Sequence, residues 1–367
     1  MTKGDSWVIR GARWGWRSIL MPHRVTETLR RLDGIEAAIK DLRHGLPADT
    51  SGGADGVPRS SCPSPQQIYR GYSDADLALF ERFGKLSPKP VDGFVTDFLG
   101  VRTRTKFVRG ADGLSGAVTG IPVPDDGFHS DAIEWIGLLK SVASARDRYT
   151  AMELGAGWGP WVVAGAAAAR QAGLEVAHLC AVEADPGHFE FLVQHFRDNA
   201  LDPSAHRLIN AAVGVEAGRA RWPKVDDAAA DYGSRPLLQT QATDAGRIAD
   251  HVGRQFAEWL DVEIVPFEKQ LLAQPAWDLV HIDVQGWEVD LCTAAADLLD
   301  TRVRWLVVAA HDAKLHGDVI DLMFRHGWLL ENEKPPRFAW WAGAPSLTAM
   351  TTHDGTQVWR NPKLVPA

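Results

Sequence analysis

Cysteine is scarce in this chain. Only Cys62, Cys180 and Cys292 occur among 367 residues. Their number is odd and their spacing wide, which excludes a disulfide framework or a cysteine metal knuckle and points to a reducing, cytoplasmic setting. No apolar run is long enough to span a bilayer. The N-terminal stretch has Arg10, Arg13 and Arg17 but no apolar signal core, so no secretion signal is expected there. No internal repeat is present. Positive charge is also short: 39 Lys and Arg stand against 47 Asp and Glu, a net charge of −8. A protein that reads nucleic-acid backbones needs clustered cations, so that class is disfavoured.

What is present is ordinary globular material, 45% hydrophobic and 23% charged. The length suits one large domain or two smaller ones with a substantial core. Tryptophan is frequent, at 15 residues. Core packing accounts for such a number better than stacking surfaces for sugars or aromatic rings.

Residues 1–22 hold Trp7, Trp14 and Trp16 among arginines and read as a peripheral segment. Residues 23–46 space apolar side chains by three and four, which predicts an amphipathic helix interrupted by Gly34. Such a helix either docks a partner, such as a second copy, or lies on the protein's own body. Residues 47–66 are rich in Pro, Gly, Ser and Asp and read as a linker. These features divide the chain into an N-terminal helix and linker (1–66), a lid or substrate region (67–145) and a main domain (146–367). Helices are predicted over 74–83 and from Ser130. Strands are predicted at 149–154, 176–182, 206–213, 277–283, 303–310, 327–331 and 356–359. Helices separate the first six, apart from a long, partly irregular insertion at 214–275. This alternation implies an α/β fold with a doubly wound, mostly parallel sheet.

Five constellations carry chemistry. Glu153-Leu154-Gly155-Ala156-Gly157-Trp158-Gly159 follows the first strand and precedes Pro160. Strand, glycine turn and helix together read as a nucleotide-binding corner. The third glycine of the dinucleotide pattern would fall at Pro160, which favours a ligand without a pyrophosphate. In Glu183-Ala184-Asp185-Pro186 the first acid ends the second strand, placed for ribose hydroxyls or as surface decoration. Asp185 before a proline reads as a helix start. Asn210-Ala211-Ala212-Val213-Gly214 offers small residues against which a flat ring can lie, or ordinary packing. His281-Ile282-Asp283-Val284-Gln285-Gly286-Trp287-Glu288 ends a buried strand in Asp283, which faces the ligand crevice or caps a helix. His281 shares its parity, in the core or at the site. His311-Asp312 ends the fifth strand in a base or ligand and a second acid that can equally cap the next helix.

In this order the motifs resemble class I S-adenosylmethionine-dependent methyltransferases, and more narrowly the FkbM family of O-methyltransferases. The likeness runs over roughly 150–362, with Gly327-Trp328 and Asp354-Gly355-Thr356 downstream and looser echoes at 93–103 and 128–142. It implies S-adenosylmethionine as cofactor and a seven-stranded sheet with an N-terminal helical or lid region. It implies cofactor contacts from Glu153, Gly155, Gly157, Trp158, Glu183, Ala184, Ala211, Ala212 and Asp283. His129 and Glu134 would close over the cofactor. The implied acceptor is a hydroxyl of a sugar, glycolipid or natural product. Gln285 departs from the family, where many members have Glu. An alcohol needs its proton removed, by His311 or Asp283, or a divalent cation such as Mg to lower its pKa, with Asp283, His311 and Asp312 as candidate ligands. The rivals are a nicotinamide-dependent oxidoreductase, a nucleic-acid base methyltransferase and a non-catalytic scaffold. Pro160 and the gap from Gly155 to Glu183 count against the first, and the run after Asp283 counts against the second.

Overall fold

The computed structural model describes residues 71–122, 131–237 and 247–366. The helix expected at 23–46, the linker at 47–66, Ser130 and His129 lie outside the described residues.

Two sheets matter for the site. Their strands are β1 (Arg148–Leu154), β2 (Glu175–Glu183), β3 (Arg207–Asn210), β4 (Ala212–Gly214), β5 (Gly218–Pro223), β6 (Trp259–Pro266), β7 (Trp277–Ile282), β8 (Val303–Ala310), β9 (Leu329–Lys334) and β10 (Gly355–Arg360). The main sheet has seven strands in the order β9-β10-β8-β7-β1-β2-β3. Strands β8, β7, β1, β2 and β3 pair in parallel. Only β10 is reversed, antiparallel to both β8 and β9. This is the doubly wound, mostly parallel seven-stranded sheet expected from the motifs.

The strands are apolar on both faces because helices cover both. One face sets Tyr149, Ala151, Leu279 and Val307 against helices α1 (Asp74–Phe83), α2 (Ala132–Ser144), α3 (Pro160–Gln171) and α4 (Pro186–Asp198). The other sets Met152, Leu154, Val280, Ile282, Leu306 and Val308 against α5 (Glu288–Ala294), α6 (Ala296–Arg302) and α7 (Ala313–Arg325). The side chains alternate by two along each strand, so one residue of slip would exchange the faces. Cys180 on β2 and Cys292 on α5 are free and buried, and burial pushes both thiols up to about 12. Trp135, Trp158, Trp277, Trp328 and Trp359 are fully buried, so core packing accounts for these; Trp340 and Trp341 are exposed. No helix among the described residues is long and apolar enough to cross a membrane.

The structure differs from expectation in two places and adds the direction of the last strand, which the sequence reading left open. The strand expected at 206–213 breaks at Ala211, whose N–H bonds the Glu183 carbonyl, and the chain then leaves the main sheet so that Ala212 pairs with Ile264 of β6. The insertion at 214–275 is more regular than expected, since β4, β6 and β5 form a three-stranded sheet. The last strand runs backwards, because β9 returns to β10 through a connection at 335–354 that carries no crossover helix.

The chain winds from β1 outward to β3, then crosses to β7 on the other side of β1. The connections that follow β1 and β7 therefore leave to opposite faces of the sheet, α3 to one and α5 to the other, and a crevice opens where a ligand is expected in such sheets.

Candidate active site

Gly155, Gly157 and Gly159 all adopt positive φ, at 72°, 55° and 74°. For Gly155 the need is absolute. A Cβ there would stand 1.8 Å from the Asp283 carbonyl oxygen. The loop is held from two sides. The N–H groups of Gly155 and Ala156 both donate to the Val182 carbonyl at 3.0 Å. Gly157 N–H donates to Glu183 Oε2 at 2.7 Å, while Glu183 Oε1 accepts Asp185 N–H at 2.7 Å. Glu183 thus ties the glycine loop to the end of β2 and faces the crevice, and a carboxylate has acceptor directions to spare for a diol.

Gly155, Gly157, Glu183, Ala184, Ala211, Ala212 and Asp283 all line this crevice. Glu153 and Trp158 do not lie in its lining. Glu153 sits under the loop, where its carboxylate accepts the Trp161 and Val162 N–H groups at 3.1 and 2.9 Å and so holds the start of α3. Burial pushes that carboxyl well above its ordinary range, against the two N–H donors. Trp158 is buried behind the crevice with its ring edge on Tyr232, centroids 5.0 Å apart. Asp185 accepts the Gly187 and His188 N–H groups and caps α4, as an acid before proline should.

Among the crevice residues that had no sequence signal are His188, Trp222 and Tyr232. The His188 and Tyr232 rings stack at 4.1 Å, and the Tyr232 hydroxyl donates to the Phe107 carbonyl at 2.6 Å. Trp222 and Tyr232 belong to the insertion, whose sequence shows no periodicity to mark them. Asn210 was visible in its motif but not its task. Its amide donates to the carbonyls of Glu183 and Ala184, fixing the strand end that the crevice uses.

At the other end of the crevice, Asp283 N–H donates to the Leu154 carbonyl at 3.0 Å, locking β7 to the start of the glycine loop. Asp283 Oδ1 lies 3.1 Å from His311 Nε2 and accepts the Gln285 amide at 3.2 Å. His311 Nδ1 lies 2.8 Å from Glu288 Oε1. That same oxygen accepts the N–H groups of Val284 and Gly286. The turn needs such support, since Gln285 is held at φ 56°. Burial opposes a charge on His311, but Glu288, Asp354 and Asp283 outweigh it and raise its pKa well above the ordinary value. His311 therefore sits between two carboxylates, hydrogen-bonded to Glu288 at Nδ1 and close to Asp283 at Nε2, an arrangement that favours its charged form.

The raised pKa of His311 counts against its service as a base at neutral pH. Of the candidate cation ligands Asp283, His311 and Asp312, Asp312 is engaged elsewhere: it caps α7 through the Leu315 N–H at 2.9 Å, and its other oxygen accepts the Thr348 hydroxyl at 2.9 Å. Among the described residues no three His, Cys, Asp or Glu converge as a metal requires. Glu134 is buried on α2 and lies 3.0 Å from His281 Nε2, whose ring packs on Trp161. Burial raises the Glu134 carboxyl. Asp354, just before β10, completes the acidic surroundings of His311, and burial pushes its pKa up to about 6.

No family model matches the chain. A protein of Jannaschia sp. (strain CCS1), provisionally named a methyltransferase, is 28% identical over 273 residues, which is 74% of this chain and 94% of that protein. Among solved structures, precorrin-6y C5,15-methyltransferase of Geobacter metallireducens GS-15 is 11% identical with a TM-score of 0.34, over 63% of this chain and 88% of its own. Methyltransferase FkbM of Methylobacillus flagellatus KT is 12% identical with a TM-score of 0.34, over 59% and 45%. Structural likeness at this level carries no functional information, and the fold rests on the strand order described above.

Proposed function

We propose that this protein is an S-adenosylmethionine-dependent O-methyltransferase of the FkbM type, acting on a hydroxyl of a sugar, glycolipid or natural product. One observation carries the reading: the glycine loop, bound at its back to Glu183, and Asp283 line one crevice together at the switch point of the sheet. The name of the Jannaschia relative agrees with it. The crevice residues suit this cofactor. Glu183 offers acceptors for ribose hydroxyls, Ala184, Ala211 and Ala212 offer small surfaces beside Trp222 for a flat base, and the glycine backbone leaves room for the amino-acid end. When bound, S-adenosylmethionine supplies an electrophilic methyl carbon.

The chain's own residues then have two tasks. One is to hold the acceptor oxygen close and aligned, since displacement at carbon is sensitive to both. The other is to take the hydroxyl proton. Asp283 lines the crevice and His311 does not, so that task falls to the Asp283 carboxylate, with His311 and Gln285 beside it to fix its orientation.

Calorimetry with S-adenosylhomocysteine and with NADH tests the cofactor. Binding of the first and not the second is expected; the reverse would end the methyltransferase reading in favour of an oxidoreductase. An acceptor screen that follows the mass gain of one methyl group identifies the hydroxyl. Asp283→Asn is then expected to retain S-adenosylhomocysteine binding and to lose transfer by about 100-fold or more. Turnover undiminished in that variant would remove Asp283 from the chemistry.

A further inference from the structure

The connection at 335–354 presents an apolar surface that the fold itself does not use. Phe338 is 63% exposed, Trp340 74%, Trp341 46% and Leu347 50%. Residues 338–350 contain no charged side chain. These rings stand on a built scaffold. Arg337–Phe338 pairs with Thr351–His353, and the Ala339 N–H donates to the Met350 carbonyl at 2.9 Å. Ser346 caps the short helix Leu347–Met350 through the Ala349 N–H, and its hydroxyl donates to the His251 carbonyl at 2.7 Å.

The scaffold is fastened beside the reaction end of the crevice. Gly355 pairs with Ala310, the residue before His311. The Thr348 hydroxyl donates to Asp312, the residue after it. Lys334 pairs with Thr356, so both ends of the connection return to the carboxyl end of the sheet. An exposed cluster of aromatic rings on an ordered hairpin marks a surface that is covered in use. Its anchors fall on the residues either side of His311, which itself lies 3.1 Å from the crevice residue Asp283. Its lack of charge does not suit a phosphate backbone or any polyanion, and rings of Trp and Phe suit flat or hydrocarbon surfaces.

We propose that the hairpin at 335–354 is the acceptor-binding arm, on which Phe338, Trp340 and Trp341 hold the apolar ring or chain of a lipophilic acceptor whose hydroxyl is presented to Asp283. This rests on the methyltransferase reading given above. The arm selects the acceptor by its apolar body, and the crevice selects the hydroxyl.

The test is calorimetric titration of the full-length protein, saturated with S-adenosylhomocysteine. The probes are n-octyl β-D-glucoside below its micelle threshold, 4-nitrophenyl β-D-glucoside, and glucose. Saturable binding of the octyl or the nitrophenyl glycoside is expected, without binding of glucose. Whichever binds distinguishes a chain from a ring as the preferred body. The Trp340→Ala/Trp341→Ala variant is expected to weaken that binding by about tenfold or more, while Trp340→Phe/Trp341→Phe restores most of it. S-adenosylhomocysteine affinity in both variants should stay within about twofold of the parent, which shows that the fold is intact. Equal affinity in the alanine variant, or no binding of either glycoside, overturns the proposal. So does binding confined to phosphatidylcholine vesicles, which would make the arm a membrane contact. A dimer in ultracentrifugation that the alanine variant dissociates would make it a contact between copies, and also overturns it. If the parent protein fails to bind S-adenosylhomocysteine, the methyltransferase reading falls, and the same titrations without that ligand still decide what the arm binds.

Discussion

Glu288 is fully buried, and one of its oxygens accepts from His311 and from two backbone N–H groups. Replacing it by Gln keeps the shape but leaves the His311 imidazolium without its nearer counter-charge. It also brings an amide into a pocket of donors. Breaking a buried charge pair in this way costs about 3–5 kcal/mol. Glu288→Gln should therefore show a large drop in urea midpoint with an unchanged slope. Asp354 gives a second test, through pH. Its carboxyl titrates near 3.8 when unfolded and is raised to about 6 in the fold. The folded state therefore holds a proton that the unfolded state has lost, and stability falls as pH rises between those two values. His311 is also raised, so its contribution is full below its unfolded value of 6.5 and is lost as pH climbs through its folded one. Asp354→Asn should abolish the acidic step and, at pH 7, unfold at higher urea by about 1–3 kcal/mol. A parent protein with flat stability from pH 4 to 6 would contradict this. Asp283 and His311 were legible because apolar strands end in them. The task of Glu288 was not, because it depends on a meeting with a residue 23 positions away.

At the scale of elements, the glycine loop combines two demands, a left-handed backbone and contact with β7. Gly155→Ala must find room for a methyl group 1.8 Å from a carbonyl oxygen, at φ 72°. Gly173, at φ 76° after α3, has nothing within 4 Å of its Cβ position. Gly173→Ala should cost about 1 kcal/mol, the ordinary left-handed penalty. Gly155→Ala should cost well over about 2 kcal/mol and abolish S-adenosylhomocysteine binding. Thermal unfolding and calorimetry on the pair separate strain from contact, and equal losses in both variants would reject the contact argument. The spacing of these glycines was plain in the sequence. The break at Ala211 was not, since Arg207 to Val213 reads as one run and only the competing partners β2 and β6 end it. The reversal of β10 was hidden for a related reason: a strand covered on both faces has the same pattern whichever way it runs.

For the molecule as a whole, the alternation of strands and helices carried the architecture, because both faces of the sheet had to be apolar for helices to cover them. The insertion between β4 and β7 and the connection before β10 were legible only as departures from that alternation. They supply Trp222 and Tyr232 to the crevice and the exposed rings beside it. Cys180 and Cys292 both lie in the core on the far side of the sheet, one on a strand and one on a helix. Their thiols are raised to about 12, so neither is a thiolate at neutral pH and neither meets solvent. A Cys62→Ser version of the chain should therefore resist iodoacetamide in native buffer and take up two labels only when this half of the core opens. Mass spectrometry of labelling against urea gives each position its own opening free energy. Matching midpoints would mean that strand and helix let go together; an earlier label on Cys292 would show the helix layer peeling first. The two thiols thus serve as a built-in stopwatch for how the molecule comes apart.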